Sequence, residues 1–495
     1  MNILYRSTRG DQEDISSAGA ILSGIAPDGG LYIPTSMPSF DRSFDRLSHM
    51  DYRELTYYII SMFFTDCEED IMARCIEDAY DEKFDDRRIV PIIERGGAHF
   101  IELFHGPTLA FKDMALTMLP HLLKMAARKM ENTNEIVILT ATSGDTGKAA
   151  LESFSDVDGT KIIVFYPRNG VSRIQERQMI TQQGSNTHVI AIEGNFDDAQ
   201  KGVKAIFGDR GFARSLAGKG YMFSSANSIN IGRLIPQIVY YVHAYLHLLK
   251  NSRIKSGEKI NIVVPTGNFG NILAAYYSRQ MGLPVKKLIC ASNINNVLYD
   301  FINTGIYDRK RKFMVTSSPA MDILVSSNLE RLLFDLADKD SEMIKHLISK
   351  LSEEGEFKIN ESMKKGLSGF YGGFATEEET FGAIRDLFKN NDYLIDTHTA
   401  VGYCVYKKYM EDTADDTPAV IASTASPFKF PGSVAGAIDK KYRHMDEFSL
   451  LKVLSDISGL EIPKRIAGIA EKKVIHNNSC TIEDMKDTVA RILGI

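Results

Sequence analysis

A single lysine is the residue of this sequence that is best placed for covalent chemistry. Lys112 lies within an apolar, turn-rich segment, residues 105–113, directly before a helical pattern. Burial lowers the pKa of a lysine ammonium group, and the neutral amine can then condense with an aldehyde to form a Schiff base. Because most lysines are solvated surface charges, this interpretation of Lys112 depends on the other motifs of the chain.

A glycine-rich turn at residues 265–271 has the pattern of a phosphate-binding loop. Its sequence is Pro-Thr-Gly-Asn-Phe-Gly-Asn, and it lies between the apolar run 262–264 and a helical pattern. Glycines allow successive N–H groups to converge, and the following helix adds unpaired donors and the positive end of its dipole. The spacing differs from the dinucleotide fingerprint, so a nicotinamide cofactor is not predicted. A tight loop without a ligand is the alternative.

A second turn, residues 140–148, also joins a strand pattern to a helical pattern. Its end, Gly147-Lys148, resembles a nucleotide-binding P-loop, but Thr142 stands where that motif needs its first glycine, and Ala149 follows the lysine. The nucleotide interpretation therefore fails. Hydroxyl groups at the start of a helix instead suit a small anion such as a carboxylate.

Two further polar segments have compositions that suit ligand binding. In residues 423–430, the Thr424 hydroxyl could hydrogen-bond a heterocyclic nitrogen, and Lys429 could supply a positive charge to a phosphate. Residues 223–234 gather amides, hydroxyls and Arg233 into a lining that suits a phosphorylated ligand. A capping threonine, a surface lysine and a capped helix start are equally compatible with these patterns.

The elements that must position these turns form an alternating α/β pattern. Short apolar runs lack polar alternation, which is typical of strands that are covered on both faces. This alternation predicts a mostly parallel α/β fold, in which ligands lie at the carboxyl ends of the strands. The predicted strands are 136–140, 161–166, 188–192, 260–264, 288–291 and 419–423, and helical patterns include 171–183, 197–207 and 271–281.

Four units are predicted along the chain. A helical pattern at 51–80 follows a Gly/Pro-rich entry, and the strand patterns fall into two groups, before and after about residue 255. The predicted units are an N-terminal subdomain (1–95), a first α/β lobe carrying Lys112 and the loop 143–147 (96–255), a second α/β lobe carrying the phosphate loop (256–440) and a helical C-terminal tail (441–495).

The overall composition excludes several classes of partner. A net charge of −6 over 495 residues gives no basic excess, so nucleic acid is not predicted as a partner. The five cysteines form no Cys-x-x-Cys pair, which favours a reducing compartment and predicts a cytoplasmic localisation. No apolar run approaches the roughly 18 residues of a membrane-spanning helix, so no membrane partner is predicted. No metal site is predicted.

Together, these motifs resemble those of the threonine synthases, pyridoxal-phosphate (PLP) enzymes of fold type II, the tryptophan-synthase-β-like fold. The resemblance covers almost the whole chain, and it implies two α/β lobes with mostly parallel sheets and an N-terminal subdomain. The N-terminal motifs, and Asp145 where many relatives carry asparagine, resemble the long bacterial and fungal form. The matching segments are 5–10, 26–31, 105–113, 143–147, 225–233, 267–271, 318–323, 396–402 and 423–429.

The resemblance also implies roles for individual residues. Lys112 would bind PLP covalently and act as the catalytic base, and Thr424 would contact the pyridine nitrogen. The other cofactor-binding residues would be Gly267, Asn268, Phe269, Gly270 and Asn271. The amino-acid end of the substrate would face Ser143, Gly144, Asp145 and Thr146, and its phosphate would face Asn227, Ser228, Arg233 and Lys429.

The reaction implied by the resemblance converts O-phospho-L-homoserine and water to L-threonine and phosphate, the last step of threonine biosynthesis. It proceeds by elimination at Cγ and addition of water at Cβ, so two phosphate sites are expected. Three alternatives stay open: a serine/threonine dehydratase, a phosphoamino-acid phospholyase, and a non-catalytic PLP-binding relative. The sequence indicates no oligomeric state, and His105 and His398 are left outside the predicted catalytic set.

Overall fold

The computed structural model of the chain describes residues 2–10 and 13–495. Its strands are β1 (Tyr5–Ser7), β2 (Tyr32–Pro34), β3 (Ile92–Arg95), β4 (Ala98–Glu102), β5 (Glu135–Ala141), β6 (Thr160–Pro167), β7 (Thr187–Ile192), β8 (Tyr221–Ser224), β9 (Ile260–Pro265), β10 (Val285–Ser292), β11 (Ile306–Asp308), β12 (Glu356–Lys358), β13 (Phe370–Phe374), β14 (Ala419–Ser423) and β15 (Asn478–Cys480).

The α-helices are α1 (Ser17–Ser23), α2 (Phe44–Leu47), α3 (Tyr52–Phe63), α4 (Glu69–Ala79), α5 (Asp113–Leu116), α6 (Leu119–Lys129), α7 (Asp145–Phe154), α8 (Arg173–Ile180), α9 (Phe196–Gly208), α10 (Arg210–Gly218), α11 (Ile231–Leu234), α12 (Pro236–Lys250), α13 (Gly270–Gln280), α14 (Val297–Thr304), α15 (Leu329–Leu336), α16 (Ser341–Glu353), α17 (Glu361–Gly366), α18 (Glu377–Asn391), α19 (Thr397–Thr413), α20 (Pro431–Ile438), α21 (Glu447–Ser458) and α22 (Met485–Leu493).

Two mostly parallel sheets form the centre of the molecule. The six-stranded sheet has the order β13-β10-β9-β14-β4-β3, and only β3 and β4 pair in an antiparallel manner. The five-stranded sheet has the order β15-β7-β6-β5-β8 with parallel pairing throughout. Every residue of β9 and of β14 is buried, which accounts for their unbroken apolar runs. All six predicted strands are present, and the predicted α/β architecture is confirmed.

The strands do not divide by sequence position at residue 255. β4 lies in the six-stranded sheet, because residues 99–102 pair with residues 420–423 of β14. β15, from the predicted C-terminal tail, pairs with β7 at the edge of the five-stranded sheet. The pairing of β4 with β14 is important for function, because it brings the Lys112 segment, which follows β4, next to the segment that follows β14.

The N-terminal region packs onto the first α/β lobe. The predicted helical region 51–80 forms two helices, α3 and α4, and Asp51 begins α3 with a capping box that includes Glu54. α1 contacts α6, and α3 contacts α12, so the subdomain shares a continuous apolar core with the α/β region. Within residues 2–10 and 13–495, no helix combines the length and apolar character needed to cross a membrane.

Candidate active site

Loops from both sheets surround one cavity of about 220 Å³. It lies where β5, β9 and β14 end, as is typical of ligand sites in parallel α/β folds. The predicted site residues that line it are Lys112, Ser143, Asp145, Thr146, Asn227, Ser228, Arg233, Gly267, Asn268, Phe269, Gly270, Asn271 and Thr424.

Lys112 lies in the turn directly before α5, with a side chain that is 11% exposed. Its Nζ is 3.5 Å from Asp145 Oδ2. Burial is the main cause that lowers the pKa of Lys112; Asp145 opposes this effect, and the positive charges of Lys429 and Arg233 add to it. Lys112 is therefore closer to the reactive, neutral amine than an exposed lysine would be.

Hydrogen bonds fix the segment that carries Lys112. The backbone N–H of Phe111 donates to the Thr424 carbonyl at 2.8 Å. On the other side of the turn, the buried Asp113 carboxylate accepts from the Thr108 N–H and hydroxyl at 2.8 and 2.5 Å. These contacts hold Lys112 and Thr424 on adjacent segments of the same cavity.

Asp145 connects two buried lysines. Its Oδ1 accepts from Lys429 Nζ and from Gln175 Nε2, both at 2.9 Å, whereas its Oδ2 faces Lys112. Burial opposes ionisation of this carboxyl group, but Lys429 and Lys112 hold the pKa of Asp145 well below its usual range. Lys429 has no exposed surface, and its Nζ also donates to the Thr108 carbonyl at 2.8 Å. Asp145 is therefore ionised, with Lys429 as its closer partner.

The phosphate loop, residues 267–271, leads from β9 into α13 through a sharp turn. Phe269 adopts a left-handed backbone with φ of 63° directly before the helix. A Cβ atom at Gly267 would lie 2.4 Å from the Ala320 carbonyl oxygen, so a side chain does not fit at this position. The loop therefore presents the start of α13 to the cavity, which is an arrangement suited to a phosphate.

The segment around Asn328 holds the phosphate loop and also contacts Ser228. Asn328 N donates to the Asn268 carbonyl at 3.1 Å, and Asn328 Nδ2 donates to Ser228 Oγ at 3.0 Å. Ser326 Oγ donates to the Gly267 carbonyl at 2.8 Å. The role of Asn328 in the site could not be predicted from the sequence, because its local pattern is that of an ordinary residue before a helix.

Two buried donors at the cavity have no partner among the described residues. Asn271 Oδ1 accepts from the hydroxyls of Tyr240 and Tyr241, but its Nδ2 is unpaired. Arg233 donates through Nη1 to the Ala226 carbonyl at 2.8 Å, whereas its Nε is unpaired, and burial lowers its pKa to about 10. Buried unpaired donors are costly, so a ligand with anionic oxygens fits this cavity.

His398 also lines the cavity, although it lies outside the predicted set. Its Nε2 accepts from the Ala320 N–H at 3.2 Å, and its Nδ1 faces the Asp396 carboxylate at 2.8 Å. Asp396 caps α19 at the same time. The sequence signal that could have predicted the contact between Asp396 and His398 is an aspartate two residues before a histidine at the start of a helix.

Helix α9 adds Gln200 and Lys204 to the cavity lining. The sequence predicted this helix but assigned it no site residue, because a lysine on an amphipathic helix is typical of a solvent-exposed face. Lys204 is exposed, so it lies at the cavity entrance.

Two predicted site residues do not line the cavity. The Gly144 N–H donates to Thr142 Oγ1 at 2.9 Å, and a Cβ at Gly144 would lie 2.5 Å from the Gln175 side chain. The absence of a side chain at Gly144 therefore makes room for Gln175. Lys429 is enclosed, and its charge is already paired with Asp145, so its predicted contact with a substrate phosphate does not fit this geometry.

Sequence comparisons identify the class to which this fold and site belong. The family model described as "Pyridoxal-phosphate dependent enzyme" matches residues 100–424. The models "Threonine synthase N terminus" and "Threonine synthase, C-terminal" match residues 4–80 and 399–477. The fold is that of a PLP-dependent enzyme of fold type II, as predicted.

Within that class, the chain belongs to the threonine synthase family. It is 38% identical over 439 residues to threonine synthase of Pseudomonas aeruginosa, covering 88% of this chain and 90% of that protein. The match to human "Threonine synthase-like 1" is 38% over 464 residues and covers 89% of this chain, which spans 60% of the length of that relative.

Solved structures agree with this assignment. A PLP-bound threonine synthase from Brucella melitensis superposes with a TM-score of 0.87 at 33% identity, with both chains covered completely. Yeast threonine synthase gives a TM-score of 0.87 at 31% identity, with 99% of each chain covered. The predicted family, fold class and cofactor are thereby confirmed.

Proposed function

We propose that the chain converts O-phospho-L-homoserine and water to L-threonine and phosphate. The observation that carries this proposal is the pair of anion-compatible regions on the cavity that contains Lys112. One is the phosphate loop with the unpaired Nδ2 of Asn271, and the other is Arg233, which is buried without a carboxylate partner among the described residues. A PLP enzyme acting on an amino acid without a phosphate needs only the first of these regions.

The residues that line the cavity suit PLP chemically. Lys112 would hold the cofactor covalently, residues 267–271 would bind its phosphate, and the Thr424 hydroxyl would contact its ring nitrogen. When bound, PLP supplies a conjugated ring that delocalises negative charge from Cα of an attached amino acid.

Lys112 is the residue suited to move protons during the reaction. Once the substrate's amino group had displaced Lys112 from the cofactor, the freed neutral amine would take a proton from the substrate Cα, and the same Nζ would transfer protons to and from the neighbouring carbons. Asp145 would keep Lys112 oriented through its Oδ2, while Lys429 compensates the negative charge of the carboxylate. This division of contacts supports Lys112 as the base and Asp145 as a residue that positions it.

The substrate's two ends would bind to different residues of the cavity lining. Its carboxylate would accept from the hydroxyls of Ser143 and Thr146 at the start of α7, where the helix dipole also favours an anion. Its phosphate would pair with Arg233, which gives the leaving group at Cγ a positive partner. A substrate without that phosphate would leave Arg233 buried and unpaired, which disfavours serine and threonine as substrates.

We also propose that the protein acts in the cytoplasm on this small-molecule substrate, without nucleic acid or membrane as partner. The five cysteines of the chain are all free, which supports a reducing compartment.

The test is an assay of phosphate and threonine formation from O-phospho-L-homoserine, with serine and threonine as competing substrates. Lys112→Ala is expected to abolish turnover and the visible absorption of bound PLP, whereas the same substitution at the exposed Lys124 leaves both unchanged. Retained phosphate release by Lys112→Ala would contradict the assignment. Ketoacid formation from serine or threonine would instead identify a dehydratase, and phosphate release without threonine a phospholyase.

A further inference from the structure

A second cavity, of about 430 Å³, lies on the side of α7 and α8 that is covered by the C-terminal segment 463–476. This segment connects α21 with β15. The Arg177 guanidinium on α8 donates to the carbonyls of Ala470 and Lys472 at 2.6 and 2.8 Å. The covering segment is therefore fixed to α8 at one end of the cavity.

Helices α7 and α8 line the cavity with polar side chains that are largely buried. Lys148 is 10% exposed, and its Nζ contacts Glu152 Oε2 at 2.7 Å and Gln182 Oε1. Gln178 is 3% exposed, and its Oε1 has no hydrogen-bond partner among the described residues. A buried acceptor without a partner is a group that a ligand hydroxyl or ammonium would satisfy.

The covering segment contributes positive charge to the same cavity. Arg465, Lys472 and Lys473 line it, and all three are exposed. Arg465 donates to the Lys83 carbonyl at 3.3 Å and its charge acts on Glu152, whereas Lys472 and Lys473 form no ion pair with a carboxylate in the described part of the chain. Because Lys148 and Glu152 neutralise each other, these three cations leave the cavity with net positive charge. Its volume falls within the range of about 300–1,000 Å³ that is typical of small-molecule sites.

The two cavities are connected by the same pair of helices. Asp145 and Lys148 lie three residues apart on α7, and therefore on one face of that helix. Gln175 and Gln178 are spaced in the same way on α8. Asp145 and Gln175 are hydrogen-bonded to each other at 2.9 Å beside Lys112, whereas the second member of each pair lines the second cavity.

We propose that the second cavity binds a small organic polyanion that also carries a hydroxyl or ammonium group, and that α7 and α8 transmit its binding to Asp145. Carboxylate or phosphate oxygens pair with Arg465, Lys472 and Lys473, and the hydroxyl or ammonium donates to Gln178. Hydroxycarboxylates, acidic amino acids and sugar phosphates share this chemistry. Binding at this site does not require turnover at Lys112, so it can be measured separately.

The experiment measures backbone hydrogen exchange of the PLP-loaded protein by mass spectrometry, with citrate, L-aspartate, ribose 5-phosphate and inorganic phosphate as probes. At least one organic probe is expected to slow exchange in residues 463–476 and in α7. The double substitution Lys472→Ser/Lys473→Ser is expected to weaken binding of that probe at least about tenfold, because it removes two charge-assisted contacts. The matched control, Lys364→Ser/Lys365→Ser, removes two adjacent exposed lysines elsewhere and is expected to leave binding unchanged.

Gln178→Leu tests whether the ligand donates a hydrogen bond to Gln178 through a hydroxyl or ammonium group. The substitution is expected to weaken binding of the organic probe and to leave binding of inorganic phosphate unaffected. Unchanged circular dichroism and cofactor absorption would show that the variant is folded. Absence of protection by every probe, or protection that survives the double substitution, would overturn the proposal. If inorganic phosphate alone slowed exchange, the proposal that the ligand is an organic molecule would be refuted. Because the readout is binding, these outcomes are separate from any failure of the proposed reaction.

Discussion

Replacing Lys429 with methionine tests whether Asp145 depends on a buried cation. Lys429 has no exposed surface, and its Nζ lies 2.9 Å from Asp145 Oδ1 and 2.8 Å from the Thr108 carbonyl. Methionine fills a similar volume without charge. The variant would therefore leave a buried carboxylate whose remaining cationic partner, Lys112, lies 3.5 Å away.

Removing one partner of a buried ion pair costs about 3–5 kcal/mol. Because Lys112 and Gln175 still contact Asp145, we expect the lower part of this range, with the free energy of unfolding of Lys429→Met reduced by about 3 kcal/mol. Asp145→Asn in the same chain removes the uncompensated charge. The double variant should therefore regain about 2 kcal/mol relative to the sum of the single variants.

The assay is urea unfolding followed by circular dichroism for the original chain, both single variants and the double variant. Lys408→Met is the control, because Lys408 forms a half-exposed ion pair with Glu379 at 2.7 Å, and such pairs contribute at most about 1 kcal/mol. Additive losses in the double variant would refute the coupling between Lys429 and Asp145.

Lys429→Met should also change a second measurable property, the pKa of Lys112. Without Lys429, Lys112 loses a positive neighbour and keeps the negative Asp145, so the pKa of Lys112 rises. Covalent loading of PLP requires the neutral amine. The loading rate of the cofactor-free protein should therefore reach its plateau at higher pH in Lys429→Met, and an unchanged pH dependence would contradict this account.

Three further predictions concern separate parts of the molecule. Arg233→Met should raise KM for O-phospho-L-homoserine more than about tenfold while cofactor absorption is retained, because it removes the buried guanidinium that would pair with the substrate phosphate. Equal kinetics would exclude Arg233 from the phosphate site. Gly267→Ala should weaken PLP binding in a fluorescence titration, because its Cβ would lie 2.4 Å from the Ala320 oxygen; unchanged affinity would show that the loop adapts. Burial opposes protonation of His105, but the carboxylates of Asp85 and Glu102 outweigh it and raise the pKa of His105 from 6.5 to about 9. The contribution of protonated His105 to the free energy of unfolding is therefore complete below pH 6.5 and is lost as pH rises through 9. Thermal unfolding across that interval should therefore show a smaller loss of stability in His105→Asn than in the original chain.

The parallel strands could be predicted from the sequence because their burial on both faces produces continuous apolar runs. β4 lacked this signal, since its buried and half-buried residues are mixed, and the two glycines of β13 weakened its strand pattern. Their places in the sheet depend on pairing with β14 and β10, which local sequence does not encode.

The candidate site was predictable where glycines and hydroxyls mark a turn, as in residues 267–271. The location of Lys429 was not, because a lysine five residues after Thr424 is equally compatible with a surface charge and with a buried ion pair. The arrangement of β4 beside β14 brings Thr108 within reach of its Nζ, and Asp145 approaches it from the loop after β5 in the other sheet. The contribution of Asn328 likewise follows from tertiary packing.

The exchange of strands between the two sheets means that neither lobe can be obtained by cutting the chain at residue 255. A fragment ending there would lack β15, the strand that protects the outer edge of β7, and it would carry β4 without its neighbour β14. Both uncovered edges would offer unpaired backbone groups to other chains, so such a fragment should aggregate. A fragment that preserves the sheets must therefore keep residues 92–102 with the six-stranded sheet and residues 478–493 with the five-stranded sheet.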